Sequence, residues 1–296
     1  MSPANDGRPT GCRPVAEPVG PPRPRIGFVT CVQVGRSVLE ALLDMGATVD
    51  VLVTLPADRA RSKAGRVHLG DLASRHGIDL ITVSHVDDAV DALRAADLDW
   101  LFVIGWSQIA GPGVLAVARH GAVGMHPTLL PVGRGNAAVP WAIVKGLPET
   151  GVTAFVLEDG VDTGPVLGHE VIPVESRETA TTLYAKVDDA HVRLIRSLWP
   201  ALRAGTLESH PQDEARATTW PRRTPADGLF DPAVDTVDRV DRLVRATTRP
   251  YPGAFYVDDH GRAVTVWAGE PGRRPGGVVL RCADGDYTVL EHESRR

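Results

Sequence analysis

RIGFVTCVQVGRSVLEALLDMGATVDVLVT, residues 25–54, decides the fold class. Its two ends, Arg25 to Thr30 and Thr48 to Thr54, are short apolar, β-rich runs of the kind that a strand covered on both faces requires. Between them, residues 36–45 repeat Val, Leu and Ala at helical spacing. Strand, helix, strand is the unit of a parallel sheet, because parallel neighbours need a crossover connection. The alternation continues outward, with strands read at Asp79 to Val83 and Asp99 to Gly105 and helices at residues 67–76 and 86–96. Residues 121–125 offer another short strand, and Gly151 to Leu157 and Gly164 to Ile172 read as a pair bracketing a Gly/Asp loop. After Ser176, read as an N-cap, a long helix buries Leu183, Val187, Ala190, Leu194, Leu198 and Leu202 and stops at Ala204-Gly205. The expectation is an α/β protein with a doubly wound, Rossmann-like sheet over residues 25–205.

Two segments flank that domain. Residues 1–24 hold seven prolines and almost no bulky apolar side chains, so they are expected to form a disordered Pro-rich tail. Residues 206–296 begin with a Pro-containing link, continue through a helix at residues 237–246, and end in the alternating runs AFYVD, AVTVWAG, GVVLRC and DYTVLEH. Turn signals at Asp259-His260-Gly261, Pro271-Gly272 and Asp284-Gly285 separate the runs, which predicts a smaller C-terminal β-barrel-like domain.

Composition narrows the function. A net charge of -5 gives no broad positive field, and residues 206–296 carry 13 Arg against 15 Asp and Glu, so nucleic acid is disfavoured as a partner. A basic run, Arg59, Arg61, Lys63 and Arg66, reads as a solvated face. Cys12, Cys31 and Cys282 show no CxxC or Cys/His spacing, which points to a reducing compartment and to no metal site. No apolar stretch approaches the roughly 20 residues that a bilayer requires, and MSPANDGRPT lacks a signal peptide's apolar centre. A cytoplasmic protein without a membrane role is expected.

Three stretches could carry chemistry. Gly35 lies between the first strand and helix, where a helix N-terminus could receive an anion, but no nucleotide fingerprint is present and a tight turn is the plainer reading. In GMHPTLLPVGRGNAAVPWAIVKG, residues 124–146, His126 stands at the carboxyl end of a strand, where α/β sheets bind ligands, on a loop stiffened by Pro127 and Pro131. Alone, one His without a partner is more often a structural or surface histidine. In LEDGVDTGPVLG, residues 157–168, Asp162 suits a turn between strands, and it becomes functional only if it meets His126, since a carboxylate orients an imidazole.

HPTLLPVGRG, PWAIVKGLPETGVT and EDGVDTGPVL, with Asp162 36 positions after His126, resemble the folate-dependent formyltransferase family of glycinamide-ribonucleotide, methionyl-tRNA and amino-sugar N-formyltransferases. The resemblance covers about residues 25–205, and the C-terminal part is similar to the formyltransferase half of a bifunctional polymyxin-resistance enzyme. It implies an amine attacking the formyl carbon of 10-formyltetrahydrofolate without a metal. His126 matches the catalytic His and Asp162 the Asp that orients it. Trp106, Ser107 and Ile109, together with Glu158, Asp159 and Val161, match the segments that hold the pterin. The family's Asn two positions before the His is here Gly124. Asn136 is the nearest amide in sequence that could replace it, unless it caps the helix beginning there. The expected acceptor is a small-molecule amine, an amino sugar or a specialised-metabolite amine. The absent Asn keeps a formyltetrahydrofolate hydrolase and a non-catalytic folate-binding relative open beside it, and the two-domain plan keeps a methionyl-tRNA formyltransferase. Substrate binding, packing a homodimer and buttressing the cleft all remain open to the small domain.

Overall fold

The computed structural model describes residues 23–56 and 66–294. Nearly all of the tail assigned to residues 1–24, and Arg59, Arg61 and Lys63 of the basic run, lie outside the described residues. In chain order the elements are β1 (Arg25–Val29), α1 (Gln33–Asp44), β2 (Thr48–Thr54), α2 (Gly70–His76), β3 (Asp79–Thr82), α3 (Val90–Ala95), β4 (Trp100–Ile104), α4 (Pro112–Leu115) and β5 (Ala122–His126). There follow β6 (Arg134–Gly135), α5 (Ala138–Val144), β7 (Glu149–Val156), β8 (Val166–Pro173) and α6 (Ala180–Ala204). The chain closes with β9 (Thr219–Trp220), α7 (Val237–Thr247), β10 (Ala254–Val257), β11 (Ala263–Pro271), β12 (Val278–Cys282) and β13 (Gly285–Ser294).

The central sheet runs β3-β2-β1-β4-β5-β7-β8. Its first five strands are parallel, while β7 is antiparallel to β5 and β8 to β7. The sheet is therefore doubly wound and mixed: the short loop after β7 can only turn the chain back on itself. Successive strand residues face opposite sides. Ile26, Phe28, Phe102 and Ile104 pack with Leu39, Leu42, Leu183 and Leu194 of α1 and α6. Val29, Val51, Val53 and Leu101 pack on the other side with Val86, Leu93 and Val114. Gly35 is not at a turn but inside α1, where a Cβ would stand 1.9 Å from Thr30 Oγ1 and 2.9 Å from the Ile104 carbonyl. Only glycine lets that helix seat against the junction of β1 and β4.

Other boundaries also shift. The α6 N-cap is Thr179, not Ser176: its Oγ1 accepts the Thr182 N–H at 3.2 Å, and the Thr182 hydroxyl accepts the Thr179 N–H at 3.0 Å. This reciprocal pair satisfies two amide donors at the helix start. Residues 86–96 divide into a 3-10 turn, Val86–Ala89, and α3. None of the helices among the described residues is long and apolar enough to cross a membrane.

The second sheet, β10-β11-β13-β12, is antiparallel and is covered by α7, whose Val240, Leu243 and Val244 meet Val266, Tyr287 and Val289. A buried carboxylate fastens it to the first part of the chain. Asp241 accepts from Arg177 (2.8 Å to each oxygen) and from Arg245 (2.8 Å), Arg177 also donates to the Gly269 carbonyl, and Arg245 to the Glu178 carbonyl. Every charge in this group has a partner, without which burial would be strongly destabilising.

On α6, His191 is fully enclosed and donates from Nδ1 to the Val187 carbonyl at 2.7 Å. Burial pushes its imidazole down to about 4. An unfolded histidine binds its proton below about 6.5, so the unfolded chain takes up more protons across this window, and stability falls as pH drops from about 6.5 to 4, by up to about 3 kcal/mol. In urea unfolding, His191→Gln is expected to show a flatter loss of stability between pH 6.5 and 4.5 than the parent; parallel pH profiles would show that His191 does not carry the effect.

Candidate active site

His126 is the last residue of β5, opposite Thr153 of β7, and its side chain is 9% exposed. Thr153 secures the loop that follows: its hydroxyl donates to the Thr128 carbonyl at 2.7 Å and accepts the Leu130 N–H at 3.0 Å. The loop turns back so that the Gly133 carbonyl meets His126 Nε2 at 2.8 Å. A carbonyl oxygen only accepts, so Nε2 carries the hydrogen, and in the neutral ring Nδ1 is left with the lone pair. That nitrogen lies 3.6 Å from Asp162 Oδ2. The gap is too long for a direct hydrogen bond but short enough for strong attraction once the ring is protonated.

Asp162 sits in the loop joining β7 and β8 at φ +55, a left-handed conformation that Asp tolerates better than most residues. Its Oδ2 accepts the Gly135 N–H at 2.8 Å, and its side chain is 17% exposed. The residues expected to meet therefore do meet. The lone pair on Nδ1 and the flanking carboxylate face one another at the sheet's carboxyl end, an arrangement able to take a proton and stabilise the resulting imidazolium.

Nothing in the sequence marks the part played by the segment after α6. Residues 134–135 pair as β6 with residues 219–220 of β9. Gly133 N–H donates to Thr218 Oγ1 (2.9 Å), Arg134 N–H to the Thr218 carbonyl (2.9 Å) and Asn136 N–H to the Trp220 carbonyl (3.2 Å). The Trp220 ring occupies the space a Cβ at Gly133 would need, 2.8 Å away. These are long-range contacts that no periodicity connects, which is why sequence reading gave Thr218 and Trp220 no part in the site.

The site departs from sequence expectation at Gly124 and Asn136. A Cβ at Gly124 would meet Leu157 Cδ2 at 2.7 Å and Phe155 Cε1 at 3.2 Å, so apolar side chains fill the place where the resemblance puts an amide. Asn136 is exposed and does not cap α5: the N-cap is Ala137, at φ +57, with no side-chain cap. Its side chain is thus not committed to the helix.

Of the residues expected to hold a pterin, Glu158 and Asp159 line an open cleft of about 510 Å³ with Pro112, Leu115, Ala116, Leu157 and Gly160. Ser107 is exposed, Ile109 is 73% exposed and Val161 is exposed, none of them among that cleft's lining residues. Trp106 is half-buried against Cys31, Val32, Val34 and Leu55, with its Nε1 enclosed and without a hydrogen-bond partner among the described residues. It packs on the core rather than offering an exposed stacking face.

Residues 56–198, which contain His126, Asp162 and their loops, match the family model described as formyl transferase. That stretch, just under half of the chain, is similar to formyl transferases. Solved structures share the architecture at low identity. HypX from Aquifex aeolicus matches at 19% identity with a TM-score of 0.69, covering 93% of this chain and 45% of its own, so the present chain spans less than half of that protein. A likely sugar N-formyltransferase from Mycobacterium tuberculosis matches at 18% with a TM-score of 0.66, covering 85% of this chain and 99% of its own. An N-formyltransferase from Helicobacter canadensis, in complex with folinic acid and dTDP-3-aminofucose, matches at 14% with a TM-score of 0.69, covering 90% and 99%.

The packing at Gly124 has a measurable consequence. Gly124→Asn is expected to destabilise the protein by about 1–3 kcal/mol through overpacking against Leu157. The double variant Gly124→Asn with Leu157→Ala should recover most of that in chemical unfolding; strictly additive losses would show that the two positions do not compete for space.

Proposed function

We propose that the chain transfers a formyl group from 10-formyltetrahydrofolate to the amine of a small molecule, most simply an amino sugar carried on a nucleotide. The observation that carries this reading is the His126 ring held between the Gly133 carbonyl and the Asp162 carboxylate within the stretch similar to formyl transferases. The cleft against the start of the loop that carries Asp162 suits a flat, amide-edged heterocycle: Leu157, Pro112 and Leu115 supply apolar walls, while Glu158 and Asp159 offer carboxylates to ring and amino N–H groups. A related HypX structure is a complex with tetrahydrofolic acid, and the Helicobacter canadensis enzyme holds folinic acid.

The folate, when bound, supplies the formyl carbon that the amine attacks. His126 Nδ1 receives the proton that the amine loses, since Nε2–H is committed to Gly133. Asp162 stabilises the imidazolium and, held by the Gly135 N–H, keeps the ring side of the cleft negative. Asn136, uncapped and exposed, is the amide we assign to steady the formyl oxygen or the amine, in place of the residue missing at Gly124.

An aromatic-cationic cluster beside the catalytic loop supports an acceptor bearing an anionic group. Lys145 Nζ lies 5.5 Å from the Trp141 ring centre and 5.9 Å from that of Trp220, and the Arg223 guanidinium lies 4.9 Å from Trp141. Neither cation has an ion-pair partner among the described residues. Arg223 also borders a cavity of about 180 Å³ with Ala137, Pro140 and Tyr251, immediately after Asn136. A phosphate with a flat base fits such a surface. Filling of the Gly124 position by Leu157 favours a second reading, a hydrolase of the same folate, because the donor present in transferases is lost there.

One assay separates them. Purified protein with 10-formyltetrahydrofolate is expected to release tetrahydrofolate only when an amine acceptor is added, with formamide product detected by mass spectrometry; release without amine identifies the hydrolase, and no release under either condition refutes both. His126→Ala should lower kcat by about 10²- to 10⁴-fold, the span ascribed to general acid-base catalysis. Asp162→Asn, which keeps an acceptor for Gly135 N–H, should also lose most turnover while retaining the parent's unfolding midpoint. Parent-level turnover in either variant excludes proton transfer through this pair.

A further inference from the structure

We propose that Gln212, in the segment between the two sheets, is a positioning residue for Asp162. Its carboxamide is fully used. Nε2 donates to the Asp162 carbonyl and to the Gly164 carbonyl, each at 2.8 Å, while Oε1 accepts from Arg134 Nε at 3.1 Å and Nη2 at 2.7 Å. The amide orientation follows from chemistry, since carbonyls can only accept and a guanidinium can only donate. Arg134 is itself oriented: its guanidinium, 8% exposed, makes two parallel bonds to Glu214, Nη1 to Oε2 at 2.9 Å and Nη2 to Oε1 at 2.6 Å. The Glu214 carboxylate holds the charge of Arg134, and Arg134 in turn holds the Glu214 carboxyl below its ordinary range through the same hydrogen bond.

The consequence is a closed circuit around the catalytic pair. Asp162 is gripped at its backbone carbonyl by Gln212 and at its carboxylate by the N–H of Gly135, the neighbour of Arg134. Both grips end on the same two-residue strand, so Gln212 ties the position of the Asp162 loop to that of the loop carrying Gly133 and hence the His126 ring. Asp162 needs such a hold, because a left-handed non-glycine residue persists only when its surroundings determine it. No other side-chain type of this size offers both two donors and an acceptor: Glu keeps the Arg134 contact and loses the donors, and Leu loses both.

The kinetic arm of the test rests on the formyl-transfer reading; the exchange arm does not. Gln212→Glu and Gln212→Leu are made in the full chain, and amide hydrogen exchange at Gly135 is followed by NMR alongside steady-state kinetics. Gln212→Glu keeps the pair with Arg134 and so guards against simple unfolding. The expected result is a Gly135 N–H that exchanges at least about tenfold faster at an unchanged unfolding midpoint, with kcat lowered about 10- to 100-fold, the scale of a roughly 1 Å misplacement, and KM for folate and amine within about threefold. Unchanged Gly135 exchange overturns the proposal. So does a kcat loss that follows loss of global stability, or one matched by an equal rise in KM. Should the parent transfer no formyl group, the proposed reaction fails, and Gly135 exchange alone still decides the role of Gln212.

Discussion

The site depends on one buried imidazole whose Nε2–H is committed to the carbonyl oxygen of Gly133 in its own loop. That single bond chooses the tautomer, turns the ring, and leaves Nδ1 as the ring's basic atom. It can form only if residues 127–133 fold back over the end of β5. Two devices achieve this: the hydroxyl of Thr153, which bonds the loop at Thr128 and Leu130, and the strand pairing of Arg134–Gly135 with Thr219–Trp220. The first belongs to the central sheet and the second to the connecting segment, so the ring's orientation reports on both.

Under the proposed reaction, the segment after α6 holds the site as well as connecting the two sheets. It crosses the mouth of the sheet, donates Gln212 to the Asp162 loop, packs Trp220 against Gly133, and only then enters the second sheet. The second sheet is anchored independently, through Asp241 between Arg177 and Arg245. A strap with both ends fixed transmits little slack to what it crosses, which suits a pair of groups that must stay 3.6 Å apart.

The surroundings of the His126 strand and of the loop after it differ in chemistry. Around Gly124 they are apolar, with Leu157 and Phe155 closing the position where the family resemblance puts an amide. After Asn136 they are aromatic and cationic, with Lys145 and Arg223 over the faces of Trp141 and Trp220. Under the proposed reaction, polar assistance to the formyl oxygen comes from the acceptor's side of the cleft rather than from the floor of β5.

How much of this was legible beforehand follows from the range of each interaction. The βαβ grammar of residues 25–54, the strand pair around Asp162 and the four C-terminal strands were readable because hydrophobic period and turn residues are local signals. Ser176 was mistaken for the α6 cap because Ser is a better cap than Thr by propensity, and only the Thr179–Thr182 exchange overrides that. Gly35 was taken for a turn because a glycine demanded by a distant carbonyl looks the same in sequence as one demanded by φ. The sequence alone determined the fold class, the placing of His126 at a strand's carboxyl end and of Asp162 in a turn between strands, and their family motif. Only the tertiary structure decided that His126 and Asp162 meet, which ring nitrogen is free, what fills the space at Gly124, and that Gln212 and Trp220 secure the loops, since no periodicity connects the residues that make those contacts.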